Sequence, residues 1–239
     1  MAAEFKDITW TLTGTTTSTA FATDMPAAVV AGDLLVAFVS AEPNGTVAGW
    51  DAGVSDSGLP GIWSKEADGT EDGTTVSFPV TGGAGQSLIG VVVRYSIDAV
   101  SALDSARTNT SGTAPRDIDF PLELFTDAAG STITASFIQG GTPTSFAASD
   151  EGTFRGGEDR GTIGMIVADK LNHDSAEGTI THTYDGFSGS QTLRGTFTLW
   201  EHDPAGAGEG PSFERAKHVK IGEMPYRLHT GMRGLRVEA

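Results

Sequence analysis

Polar and apolar residues alternate along most of the chain with a period of two, and helical periodicity is nearly absent. In FKDITWTLTG (5–14), Ile8, Trp10 and Leu12 fall on one face of an extended chain and polar residues on the other, which predicts a half-buried strand. GDLLVAFV (32–39) has a turn signal and then an unbroken apolar run, which predicts a strand buried on both faces. Further strands are predicted in GIWSKEA, TTVSFPV and SLIGVVVRYS.

The second half of the chain follows the same plan. Strands are predicted in DFPLELF, STITASFI, EGTF, GTIGMIVADKL, GTITHTY and LRGTFTLWE. Val76 aligns with Ile180, and Gly82 with Gly186, both at an offset of 104 residues. With one inserted residue, Gly90 then aligns with Gly195. The order of strands and turn glycines recurs while side-chain identity mostly does not, which predicts an internal duplication.

These patterns predict an all-β fold. Strands spaced about every 10 residues, with turn clusters and no crossover helices, are typical of an antiparallel β-sandwich. We expect a jelly-roll-like sandwich over residues 1–202, built from two related halves at about 5–100 and 115–202. A Gly/Pro linker (203–211) and an extended C-terminal arm (212–239) follow. The sequence leaves open whether the halves form one large sandwich or two in tandem.

Charge is distributed unevenly along the chain. The formal net charge is −16 at pH 7, yet residues 211–239 hold six basic and three acidic side chains, a net charge of +3. The other 210 residues hold nine basic and 28 acidic side chains, a net charge of −19. An acidic body repels the phosphate backbone, so no nucleic-acid partner is expected. The basic segment is predicted to be a docking arm that lies across an acidic neighbour.

The docking arm mixes basic with apolar side chains, which suits an interface with a charged rim and an apolar centre. Its predicted contact residues are Phe213, Arg215, Lys217, Lys220, Tyr226, Arg227, Arg233 and Arg236. A last strand of the fold is the alternative interpretation of this segment.

Nothing in the sequence indicates an enzyme or a cofactor. The absence of cysteine excludes disulfides, thiolate nucleophiles and Cys-type metal sites. His173 and His202 each precede an aspartate in loop-like sequence, but no GxSxG turn supplies a nucleophile. The five histidines are therefore predicted to lie on solvated loops or on the surface, and we expect a non-enzymatic protein.

Two patterns could bind a ligand. Carboxylates gathered on a glycine-bearing loop can hold calcium, and the loop EADGTEDG supplies Glu66, Asp68, Glu71 and Asp72. An acidic hairpin turn is the alternative. Trp50 follows a turn and Trp63 opens a strand, so either ring could stack on a glycan, with burial in the core as the alternative.

The chain lacks the signals of membrane insertion and of Sec export. Its longest apolar runs, LLVAFV and LIGVVV, are far shorter than the roughly 20 residues of a membrane helix. Glu4 and Asp7 stand where a signal peptide carries basic and then apolar residues. We expect synthesis in the cytoplasm and no membrane insertion.

Three stretches carry a family resemblance. AVVAGDLLVAFVSAE (28–42), the following AGW and the later VVVRYSIDAVSALDSARTNTSGT (91–113) resemble bacteriophage virion proteins of the capsid-decorating, surface-appendage and tail-fibre type. The resemblance covers residues 5–201 and carries over no catalytic residue. It implies a non-enzymatic structural role in a virion, other virion proteins of the capsid or tail as partners, and a homo-oligomer. The alternatives are a carbohydrate-binding adhesion module for host surface glycans and, less favoured, a polysaccharide hydrolase.

Overall fold

A computed structural model shows an all-β protein. It describes residues 3–16, 19–52, 60–81, 86–96, 99–111, 116–122, 130–174, 178–186 and 191–202. Within these ranges the regular structure is strand and no helix occurs, so none could cross a membrane. The all-β prediction is confirmed. The linker (203–211) and the docking arm (212–239) lie outside the described residues.

The described chain forms fifteen strands. The first half contains β1 (Glu4–Thr16), β2 (Ala20–Asp24), β3 (Asp33–Val39), β4 (Asp51–Ala52), β5 (Gly61–Glu66), β6 (Thr75–Pro79) and β7 (Gln86–Ser96). The second contains β8 (Ala99–Ser111), β9 (Arg116–Pro121), β10 (Gly130–Gln139), β11 (Ser145–Ala148), β12 (Thr153–Arg160), β13 (Ile163–His173), β14 (Thr179–Asp185) and β15 (Gln191–His202).

The strands build two large sheets and two small ones. The large sheets have the orders β1-β7-β3-β5-β4 and β12-β13-β10-β15-β8. The small sheets have the orders β2-β6 and β11-β14-β9. The strand pairs are antiparallel throughout, as expected for strands joined by short turns.

The two halves have the same topology. Read from its other edge, the second large sheet is β8-β15-β10-β13-β12, which matches β1-β7-β3-β5-β4 strand for strand. The small sheets match as β2-β6 and β9-β14. In the second half, β11 pairs with β14. In the first half, Pro43 occupies the corresponding position and forms an isolated antiparallel bridge with Val80, the residue after β6. The prediction of two related halves is therefore confirmed.

Four layers follow from where the apolar side chains lie. One core cluster joins the inner faces of the two large sheets, with Val36 and Val91 from the first and Ala135 and Val167 from the second. Two further clusters fill the space between each large sheet and its small sheet. Each half is thus a sandwich, and the two sandwiches pack through their large sheets. Strand β3 is buried on both faces for this reason, as its unbroken apolar run predicts.

A repeated glycine shows why the halves share a pattern. A Cβ atom on Gly90 of β7 would lie 2.4 Å from the ring of Phe21 of β2. A Cβ atom on Gly195 of β15 would lie 2.4 Å from the ring of Phe120 of β9. In each half the small sheet therefore sets a phenylalanine ring directly on the backbone of the large sheet. Only glycine leaves room for that contact.

Two details of the second large sheet were not predicted from the sequence. The Ser/Thr-rich stretch between the halves is strand β8, paired with β15 along its length. Strand β15 therefore lies inside the sheet, between β10 and β8. One edge of that sheet is β8, whose largely polar sequence did not predict a strand, and the other edge is β12.

Candidate functional site

The tryptophans proposed for glycan stacking are packed inside the first sandwich. Trp50 is 7% exposed and Trp63 is fully buried. Both rings contact Phe78 of β6, with ring centroids 5.1 Å and 4.8 Å away. Neither ring offers a free face to a sugar, so the geometry favours the core alternative for both.

The acidic loop of 66–73 uses most of its carboxylates internally. Glu71 is buried and accepts hydrogen bonds from the amides of Asp68 (3.3 Å) and Gly69 (3.0 Å). Lys65 forms ion pairs with Glu71 and, at 3.1 Å, with Asp68. Asp68 also accepts from the amide of Thr70 at 2.9 Å. These internal bonds are those of the acidic-turn alternative.

The electrostatics of the loop agree with that bonding. The hydroxyl and amide of Thr70, together with Lys65, lower the pKa of Asp68 to about 2. Burial raises the pKa of Glu71, but the hydrogen bonds from Lys65 and the Asp68 amide leave it below its ordinary value. The bond to Glu71 raises the pKa of Lys65. Across the described part of the chain, no three His, Asp or Glu side chains converge to hold a metal ion.

Two histidines predicted for the surface are buried instead. His173 is 6% exposed and its Nε2 lies 2.9 Å from Oγ1 of Thr132. His182 is fully buried between β14 and the second large sheet. Its Nε2 lies 2.8 Å from Oγ1 of Thr134, and its Nδ1 lies 2.7 Å from Oγ of Ser136. The sequence held a signal for His182, since Ile180, His182 and Tyr184 alternate with threonines along β14.

The partners of His182 fix the tautomer of its ring. Thr134 Oγ1 donates its hydrogen to the carbonyl oxygen of Ala168 at 2.8 Å, so it can only accept from His182 Nε2–H. Nδ1 then accepts from the hydroxyl of Ser136. Phe120 covers the ring at 4.9 Å between centroids, and the hydroxyl of Tyr184 donates to the carbonyl oxygen of the same serine at 2.6 Å. Burial lowers the pKa of His182 to about 3, so the ring is neutral at ordinary pH.

A second buried polar group joins the two sandwiches. Asp169 of β13 is fully buried and forms a two-pronged ion pair with Arg155 of β12, at 2.7 Å and 2.9 Å. The Tyr95 hydroxyl of β7, from the other sandwich, donates to the same carboxylate at 2.8 Å. The guanidinium of Arg155 also lies 4.2 Å from the ring centroid of Phe5 of β1. Burial raises the pKa of Asp169 and that of Tyr95.

The described chain ends at one end of the molecule, which we call the arm pole. At the end of β15, Glu201 pairs with Gly130, and Gly130 pairs with His173. Next to His173, the side chain of Asn172 exchanges hydrogen bonds of 2.6 Å and 2.8 Å with the backbone of Ala3, just before β1. The starts of β1 and β3 and the end of β7 meet at the same end of the first large sheet. The described part of the chain therefore ends at the arm pole, nine residues before the predicted docking arm in the sequence.

None of the predicted contact residues of the docking arm lies within the described residues. Comparisons of the chain with protein-family models, with curated proteins and with solved structures find no match.

Proposed function

We propose that this chain is a non-enzymatic structural component of a phage or phage-like particle. In this proposal the double sandwich is displayed outward, and the docking arm (212–239) ties it to a capsid or tail protein. The proposal keeps the function implied by the resemblance of residues 5–201 to virion proteins.

The observation that carries the proposal is the opposite charge of the body and the arm. The acidic body, as far as the structure describes it, ends at the arm pole, and the basic segment follows in the sequence after a nine-residue linker. A body held at one pole by an oppositely charged arm leaves the opposite pole free to face outward. Charge complementarity of this kind sets the orientation of a docked subunit and accelerates its encounter with the partner.

The interior of the body suits a display role. Its buried histidine His182 bonds the second large sheet to its small sheet, and its buried carboxylate Asp169 accepts from Tyr95 of the other sandwich, so both are engaged in bonds between layers. Groups bonded in this way hold the layers in register. The glycan-adhesion alternative receives no similar support, because Trp50 and Trp63 are packed against Phe78.

The test is incorporation of a truncated chain into particles. The variant lacking residues 211–239 is produced beside the full chain, and particles are purified on a density gradient. Circular dichroism and thermal unfolding of the isolated variant show whether its body is folded.

The proposal predicts that the truncated body folds and is absent from the particles, while the full chain is present. Incorporation of the folded, truncated body at the level of the full chain would contradict docking through the arm. Absence of the full chain from the particles would contradict the virion role itself.

A further inference from the structure

The arm pole carries an exposed apolar loop, residues 27–31 (AAVVA), which leads from β2 toward β3. All of its residues except Val29 are exposed. Val30 is 59% exposed, more than any other large hydrophobic side chain in the described ranges. Three alanines and Val30 thus place apolar side chains together at one tip, and exposed apolar side chains that cluster, unlike single ones, mark contact sites.

The apolar loop is held in a fixed shape. Ala28 has a φ of 56°, a conformation that side chains other than glycine rarely adopt. Its amide donates to Oδ1 of Asp72 at 2.5 Å, and its carbonyl accepts from the guanidinium of Arg94. The amide of Val30 donates to Oδ2 of Asp33 at 3.0 Å, and Asp33 faces Arg94 at 3.6 Å. A loop ordered before binding loses little conformational entropy when a partner covers it.

Exposed carboxylates lie beside the apolar loop. The acidic turn packs against it, since the amide of Gly32 donates to the carbonyl of Ala67 at 2.9 Å. Glu66, Asp68 and Asp72 of this turn are exposed at the arm pole. The pole thus has an apolar centre and an acidic rim, the reverse in charge of the docking arm, whose sequence sets Phe213 and Tyr226 among basic residues. Interfaces commonly pair an apolar centre with a complementary charged rim.

The choice of occupant follows from charge and from reach. Two bodies of −19 repel each other, so contact between copies needs a cationic bridge. The described chain ends at the arm pole, and the basic segment follows after nine linker residues, which span at most roughly 30 Å. Copies that stand side by side with their arm poles on one particle surface are within that reach. We infer that the apolar loop and its acidic rim form the seat for the docking arm of a second copy of this chain, an inference that rests on the proposed function.

Cysteine cross-linking of the full chain tests the contact, because the natural chain contains no cysteine. One preparation carries Ala27→Cys in the apolar loop, and a second carries Gly222→Cys in the arm. They are mixed, mildly oxidised and analysed by mass spectrometry. The control replaces Ala27→Cys by Asn44→Cys, an exposed position beyond the far end of β3.

The inference predicts that the mixed disulfide forms about tenfold more with Ala27→Cys than with Asn44→Cys. Equal yields for the two positions would overturn it. A double variant carrying Ala27→Cys and Gly222→Cys in one chain identifies the source of the arm. If it closes a disulfide within each chain and none between chains, the second copy is not the partner.

Sedimentation of the full chain gives an independent test. The chain should associate as its concentration rises, less so at high salt, because screening weakens charge pairing. Val30→Asp should weaken the association about tenfold, whereas Leu12→Asp, at another exposed apolar side chain, should leave it unchanged. A chain that stays monomeric, or equal effects of the two variants, would contradict the inference.

Particle analysis separates this inference from the proposed function. If the mixed disulfide fails to form but the chain is found in purified particles, the seat is wrong and the virion role stands. If the disulfide forms but the chain is absent from particles, the contact between copies stands and the virion role is wrong.

Discussion

Acid should destabilise the protein through His182. The neutral ring is enclosed by Thr134, Ser136 and Phe120, and no charged side chain is among these partners. An unfolded chain exposes the same imidazole to water, where it gains a proton near pH 6.5. Below that pH the unfolded state binds a proton on His182, whereas the folded state does not. The free energy of unfolding therefore falls as the pH is lowered.

The size of the effect follows from the difference between the two pKa values. Burial lowers the pKa of His182 from 6.5 to about 3 in the folded protein. Each pH unit between these values then removes about 1.4 kcal/mol. The loss is about 3 kcal/mol between pH 6.5 and 4.5, and about 5 kcal/mol once pH falls below the folded pKa. That is a large part of the roughly 5–15 kcal/mol by which a typical domain is stable.

The assay is urea unfolding at half-unit steps from pH 7.5 to 4.0, for the natural chain and for His182→Gln. Glutamine can still bond to Thr134 and Ser136, but it does not ionise. Ile180→Val, two residues away on the same buried face of β14, is the matched control. It should lower stability by about 1 kcal/mol at every pH and keep the slope of the natural chain.

The comparison isolates His182 from the other titrating groups. Asp169 works in the opposite direction, because its raised pKa gives stability that is present at low pH and is lost as pH rises through the folded pKa. That contribution is common to all three proteins and cancels in their differences. If the natural chain and His182→Gln lose stability in parallel between pH 6.5 and 4.5, the buried neutral histidine is not the cause of the acid sensitivity.

Three further predictions concern the packing of the layers, each checked by urea unfolding at pH 7. Arg155→Ala leaves the Asp169 carboxylate buried without its cationic partner, which should cost about 3–5 kcal/mol; a loss below 1 kcal/mol would show that the buried carboxylate does not depend on the ion pair. Trp63→Ala should cost about 3–5 kcal/mol as a core truncation, and an unchanged stability would place the ring outside the core. Gly195→Ala sets a methyl group against Phe120 and should cost about 1–3 kcal/mol, whereas a neutral result would contradict the close contact of the small sheet.

The strands with strong hydrophobic patterns could be predicted from the sequence. Strand β3 has an unbroken apolar run and is buried on both faces. Strand β10 is also buried on both faces, although its sequence alternates Ser/Thr with apolar residues. Such alternation ordinarily predicts a strand with one solvent-exposed face. Here Thr134 and Ser136 are buried because His182 of the small sheet forms hydrogen bonds with both of them. Ser136 and His182 are 46 residues apart, so the local sequence pattern cannot predict this contact.

The candidate sites were harder to predict for the same reason. Trp63 opens a strand after a turn, and only the position of the small sheet shows that Phe78 covers its ring. The bond between Tyr95 and Asp169 joins residues 74 positions apart, and it exists because the two large sheets pack face to face. The repeated glycines, by contrast, were visible in the sequence, because both halves impose the same close approach of a phenylalanine ring.

The most direct test of the virion role is to count this chain in purified particles. Particles from the producing cells are separated on a density gradient, and the chain is quantified against the major shell protein by mass spectrometry. We predict that it sediments with the particles at a fixed ratio to the shell protein, with a high ratio indicating capsid decoration and a low ratio indicating a tail or vertex appendage. Complete separation of the chain from the particle fraction would contradict the account.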